Sequence, residues 1–319
     1  MKVSIAFTKI IYVSSLILIT CLAFAQPPSL VDQDNVGIAI QEKPYNKIEF
    51  WEDSIATYAP DLQNKITAED RLAANKKTIP LLVKALREPG SFSYPFNNLE
   101  YIAKAYAPDS TFRLLTWFVK LDNGENRYFG TIQLNNESND IIPFFQNKTA
   151  IEDIRNAVIE PKKWYGAIYY NITKVRHKKR NYYMLFGWDG GSFLSTKKIL
   201  DVLYFDDGDI KMGAPIIQSK EENTTVSRLI LEYKKEAAVS INYDDVLDMI
   251  VYDHLIPEDG KSFGMYPMYV PDGSYEALEF KKGMWKYVEK VFHQTQDEAP
   301  IPMPLFEDKG PVPAGIPKE

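Results

Sequence analysis

From Tyr101 onward the chain is cut into short apolar or alternating runs by clusters of Asp, Asn, Gly and Pro. That punctuation limits the fold, because runs this short suit strands and leave no room for long helices. Phe112-Arg113-Leu114-Leu115-Thr116-Trp117-Phe118 is rich in β-formers and apolar on both faces, which predicts a central strand. Asp122-Asn123-Gly124 then predicts a turn into a partner strand over Tyr128–Leu134. Val239 to Tyr243 alternates strictly, so one face meets a core and the other meets water. Further strands are predicted over 164–173, 181–188, 199–205, 228–233, 246–252, 276–280 and 285–291. Turns are predicted at Asp189-Gly190-Gly191, Asp206-Asp207-Gly208-Asp209 and Pro271-Asp272-Gly273. Ala150 to Val158 reads as one short helix among the strands.

Tyr106-Ala107-Pro108-Asp109-Ser110-Thr111-Phe112 and Tyr269-Val270-Pro271-Asp272-Gly273-Ser274-Tyr275 share one frame, with a looser third copy at Gly187–Phe193. Proline presets φ, aspartate tolerates the turn, and the closing aromatic begins a buried strand. The resulting expectation is a mainly β fold, an antiparallel meander arranged as a curved sheet, a sandwich or an irregular propeller. A helical segment precedes it over 46–99. Thr67-Ala68-Glu69-Asp70 resembles a capping box, and Leu72, Ile79, Leu82, Val83 and Leu86 keep helical spacing up to the stop at Pro89-Gly90. Pro80 is expected to kink or split that helix, and a weaker helix is expected over Lys47–Tyr58. The β domain is assigned to 100–293.

The ends carry different information. Lys2 and Lys9 precede an apolar stretch from Ile10 to Phe24 that closes on Ala23-Phe24-Ala25, so 1–25 reads as a cleavable signal peptide. Residues 26–45 read as a flexible leader, and 294–319, with six prolines from Pro300 to Pro317, as a disordered Pro-rich tail. The protein is therefore expected to be exported, periplasmic or extracellular, with no transmembrane span after cleavage. Lipid anchoring through Cys21 is the alternative. Cys21 is the single cysteine, so neither an internal disulfide nor a cysteine zinc site holds the fold. A net charge of −6 argues against a nucleic-acid partner.

Three groups of residues stand out as candidate sites. Trp164, Tyr183 and Trp188 lie in two adjacent predicted strands and offer rings that stack on sugars. Lys178, Lys179 and Arg180 fall at a predicted hairpin tip and form a basic patch for anionic material. Asp206, Asp207 and Asp209 place three carboxylates in one turn, which invites Ca²⁺, although the spaced oxygens of an EF-hand are missing. No cofactor is otherwise expected. Gly260-Lys261-Ser262-Phe263-Gly264 matches a nucleophile-elbow pattern, yet it reads as loop then strand, the wrong context for one. His177, His254 and His293 lack metal-ligand spacing, and His254 reads as a structural histidine.

Arg228–Tyr233, Met249–Leu255, Pro271–Tyr275 and Lys282–Trp285 resemble a family of secreted proteins from Bacteroidetes-type bacteria that has no assigned activity. The resemblance spans roughly 100–292, including Phe112-Arg113 and Tyr182–Trp188. It implies export and a β-rich fold, and it carries over no catalytic residues. The function expected is a non-enzymatic binding or envelope-associated module, partnered by an envelope polysaccharide or another envelope protein. The alternative is an extracellular or periplasmic hydrolase of polysaccharide type that uses carboxylates from separate strands.

Overall fold

The computed structural model describes residues 46–220, 224–289 and 291. The signal peptide, the leader, Cys21, His293 and the Pro-rich tail lie outside them. Asn46 caps α1 (Lys47–Tyr58) by accepting from the Ile48 N–H at 3.0 Å. A single turn, α2 (Asp61–Asn64), leads to α3 (Ala68–Arg87). Thr67 Oγ1 accepts from the Asp70 N–H at 3.1 Å and donates to Asp70 Oδ2 at 2.8 Å, a shortened capping box. Pro80 does not split α3, which runs through it as one helix. Proline removes one helical hydrogen bond there. The burial of Ala74, Leu82, Ala85 and Leu86 against a sheet holds both halves to the core.

The first sheet is a meander of β1 (Ala103–Tyr106), β2 (Phe112–Lys120), β3 (Asn126–Leu134) and β4 (Ile141–Phe145), in that order. The predicted helix at 150–158 does not form. A 3₁₀ turn at Lys148–Ala150 gives way to irregular chain instead. The second sheet follows, with β5 (Ile168–His177), β6 (Arg180–Asp189), β7 (Ser195–Asp206) and β8 (Asp209–Met212). β7 and β8 join through Asp207 and Gly208, whose φ angles of 49° and 90° suit the Asp-Gly hairpin that the sequence predicts. After β9 (Ile217–Gln218) and β10 (Thr225–Val226), β11 (Leu229–Lys234) returns to the second sheet beside β7. The third sheet has the order β10, β9, β15 (Met284–Val288), β14 (Tyr269–Lys281), β13 (Met249–Pro257) and β12 (Ile241–Asp244). Its strands pair antiparallel except where β9 meets β15 at Ile217 and Trp285.

Alternation along each strand stacks these pieces in four layers. On β2, Phe112 and Leu114 face the second sheet, while Leu115, Trp117 and Val119 face the helices. On β6, Tyr183 and Leu185 face the first sheet, while Met184 and Phe186 face the third. A middle sheet buried on both faces explains why β6 and β7 read as continuous apolar runs. Of the three expected arrangements, the molecule adopts the stacked, sandwich-type one, without a closed barrel. The shared Tyr-x-Pro-Asp frame is not a blade repeat. Its first copy turns β1 into β2, and its second runs inside β14.

One polar cluster bolts the first sheet to the second. Asp189, 2% exposed, accepts from Tyr128 Oη at 3.0 Å, Tyr165 Oη at 2.8 Å and Lys148 Nζ at 2.6 Å. Burial pushes its pKa up, but Lys148 and the hydrogen bonds outweigh that and hold it below the usual carboxylate value. A depressed folded pKa gives stability that is present above the unfolded value near pH 4 and is lost as pH falls through the folded one. Asp189→Asn is therefore expected to cost roughly 2 kcal/mol at pH 7. Its melting temperature should fall less steeply than the wild type's below pH 4, as measured by circular dichroism. Parallel acid curves would remove Asp189 from the account.

Candidate functional site

The residues brought together most closely are not those the sequence singles out. Along β13 and β14, Asp253 pairs with Tyr275 and Leu255 with Pro271, so His254 alone faces Asp272, Gly273 and Ser274. This is a bulge, and it corrects the predicted turn at 271–273. Gly273, with φ of 85°, supplies the left-handed residue within a continuing strand. The bulge turns Asp272 onto His254. Asp272 Oδ1 accepts from the Ser274 N–H at 2.9 Å and the Ser274 hydroxyl at 2.7 Å, and Oδ2 lies 2.9 Å from His254 Nδ1. Burial pushes the Asp272 pKa up, but Ser274 and His254 outweigh it, so the carboxyl is held below its ordinary value. At the other side of the ring, His254 Nε2 lies 3.8 Å from Glu276 Oε1.

Glu276 is itself anchored. It accepts from Tyr287 Oη at 2.8 Å and pairs with Lys220. His254, Glu276 and Lys220 line a cleft between β11 of the second sheet and β13–β14 of the third, with a cavity of about 130 Å³. That is well under the several hundred Å³ that enclose a drug-sized molecule, so the cleft takes one small polar portion of a ligand. Tyr266 and Tyr269, with ring centroids 5.3 Å apart, form its aromatic rim. Tyr252 closes the floor; burial, and then the charge of Glu276, drive its hydroxyl pKa well above the ordinary value. The tyrosine therefore stays a neutral donor.

The sequence-derived candidates scatter. Trp164 is fully buried between Phe144 and Tyr169 and has no accessible face, so it cannot stack on a ligand. Tyr183 is also buried, donating to Asp109 Oδ2 at 2.9 Å. Trp188 is half-buried and lines a separate cavity. Lys178, Lys179 and Arg180 are exposed at the β5–β6 tip, as the sequence predicts. Arg180 reaches across to Asp206, so the basic patch and the acidic turn neutralise each other in part. Asp209 points away at 80% side-chain exposure. Among the described residues no three His, Cys, Asp or Glu side chains, Asp206, Asp207 and Asp209 included, gather as a metal site. Ser262 sits in a loop rather than between a strand and a helix, and it donates to Asp259 Oδ2 at 2.6 Å within one turn.

Sequence reasoning passes over Glu276, Lys220, Tyr266 and Tyr269. One signal was available: Asp272, Ser274 and Glu276 fall at every second position, which puts three polar residues on one face of a strand. No protein-family model, curated protein or solved structure matches this chain.

Proposed function

We propose that this protein is an exported, non-enzymatic binding module whose cleft at His254, Glu276 and Lys220 takes a saccharide-type ligand of the cell envelope. The observation that carries the reading is the cleft's chemistry. Fixed donors and acceptors of both charges stand beside tyrosine rings, the combination that hydrogen-bonds hydroxyls while covering an apolar ring face. Export rests on the Lys2 to Ala25 segment and the cysteine-free remainder of the chain.

The state of the carboxyls favours binding over hydrolysis. A glycosidase acid needs a carboxyl whose pKa is raised by an apolar site. Here the carboxyls that their surroundings move are moved down. Burial raises Asp109, Asp189 and Asp272, but hydrogen bonds and cations outweigh it. Asn156 lowers Asp153, Lys211 lowers Glu160, and Ser262 takes Asp259 to about 2.

Calorimetric titration with soluble laminarin, xylan, dextran and chito-oligosaccharides tests the reading. Wild type is expected to bind at least one of them, and His254→Ala to weaken that binding roughly tenfold, about 1.4 kcal/mol. Reducing ends should not accumulate. Release of new reducing ends, or equal binding by wild type and His254→Ala, would reject it.

A further inference from the structure

Trp188 ends β6 at a second concavity, of about 180 Å³, that the cleft does not include. Its ring lies 5.7 Å from that of Phe118 on β2, and its edge closes over Gly190. A Cβ at Gly190 would stand 2.8 Å from the Trp188 ring and 2.2 Å from Asn126 Nδ2, so a larger residue would have to push both side chains aside. Lys235 Nζ donates to Gly190 O at 2.6 Å and fixes that loop from the other side. The next residues carry exposed Phe193 and Leu194, and Phe193 lies across Gly124 in the β2–β3 turn. The concavity therefore has an aromatic floor of Trp188 and Phe118 and a polar wall of Asn126, Glu125 and Lys120.

β11 and the residue just past it link the two concavities. Leu229 to Glu232 of β11 line the cleft, and Lys235, just past its end, lines the Trp188 cavity. At about 3.3 Å per residue the spacing along the chain is roughly 10–20 Å. Lys234 bridges the interval, tied to Glu258 at 2.7 Å on the loop that leads to Tyr266. An aromatic floor ringed by an amide, a carboxylate and an amine repeats the ligand chemistry of the cleft, at a distance that a single sugar cannot span.

Resting on the saccharide reading above, we propose that Trp188 is a second stacking subsite and that the ligand is an extended saccharide chain lying along β11 from the cleft to Trp188. Occupying both subsites with one chain makes the second contact intramolecular and raises affinity with chain length. The test titrates wild type with cello-, malto- and chito-oligosaccharide ladders of one to about eight units, following affinity by calorimetry and the Trp188 indole N–H by NMR. Affinity is expected to rise at least tenfold from the shortest to the longest member of the bound ladder, with the Trp188 signal shifting only for the longer ones. Trp188→Leu keeps apolar volume against Phe118 but offers no flat face. It should reduce the length-dependent gain to under about threefold and leave the shortest ligand's affinity unchanged. Asn126→Ala, away from the Phe118 contact, should reduce the gain in the same sense. If both variants keep the full gain, or if the Trp188 signal stays fixed at saturation, the second subsite is overturned while the cleft stands. If the polymers above bind wild type but no ladder does, the second subsite is overturned while the cleft stands; if neither polymers nor ladders bind, the saccharide reading falls and this inference falls with it.

Discussion

Replacing Arg113 by alanine is expected to remove roughly 3–5 kcal/mol of folding stability, the largest effect of any single side chain in the helical half of the molecule. Arg113 sits in the middle of apolar β2, fully buried, on the face turned to the helices. Its guanidinium donates from Nε to Gln133 Oε1 at 2.8 Å, from Nη1 to Tyr94 O at 2.9 Å and Tyr106 Oη at 2.7 Å, and from Nη2 to Ser91 O at 2.8 Å. The rings of Phe92, Phe96 and Tyr106 surround it within 5.7 Å. Burial lowers its pKa, yet arginine remains charged at neutral pH. Gln133 in turn donates to Leu86 O at 2.8 Å, so one cation ties the end of α3 and the following chain to β2 and β3.

Removing the side chain strands the buried acceptors Gln133 Oε1 and Ser91 O, and each stranded buried group costs about 1–3 kcal/mol. A methionine at 113 separates this cost from that of an empty cavity, because it restores volume without donors. Urea unfolding should therefore place Arg113→Met close to Arg113→Ala, with unchanged m-values. A loss under about 1 kcal/mol for alanine, or near-complete recovery with methionine, would show that the hydrogen bonds are not what holds the helices on.

Arg113 also marks how far the sequence is readable. The apolar surroundings on β2 identify a central strand, and burial of both faces follows from that. What the cation reaches depends on where residues 91–94 come to rest, some twenty positions away, and no local pattern encodes it. Turn chemistry has the same limit. Asp207-Gly208 and Pro271-Asp272-Gly273 each carry a left-handed residue, but the first reverses the chain and the second only bulges it. A bulge and a hairpin draw on the same local dihedral; the pairing of the flanking strands decides between them. Because that bulge sets Asp272 against His254, the candidate cleft is illegible wherever the bulge is. Trp164 and Trp188 make the complementary point. Both read as aromatic strand residues, and only the stacking of the first sheet on the second buries one and leaves the other beside open space.

The second large effect is expected at Asp201 and Arg228, where the two single substitutions should each cost roughly 3–5 kcal/mol while the double apolar replacement costs far less. Both side chains have no exposure at all, with Arg228 Nη2 2.9 Å from Asp201 Oδ1. The contact is coulombic rather than a well-aligned hydrogen bond, since Arg228 Nε and Nη2 find no acceptor in good geometry. Arg228 Nη1 donates to Ile154 O at 2.5 Å, and Asp201 Oδ2 accepts from Tyr169 Oη at 3.0 Å. Burial alone would lower the Arg228 pKa; the adjacent Asp201 outweighs it and raises the value, so Arg228 stays charged.

Taking two charges out of water is expensive, and imperfect hydrogen bonding leaves part of that expense unrecovered. Either charge left alone in the layer between the first and second sheets has no counter-ion, which makes Asp201→Leu and Arg228→Met severe. Together they leave no buried charge and fill the space with apolar groups, at the residual cost of the unpaired Tyr169 hydroxyl and Ile154 carbonyl. The double-mutant cycle in urea should therefore give a coupling of about 3 kcal/mol or more. Additive losses would mean that the charges do not act on each other, and that the packing of β7 against β11 rather than the ion pair sets the stability of the middle sheet.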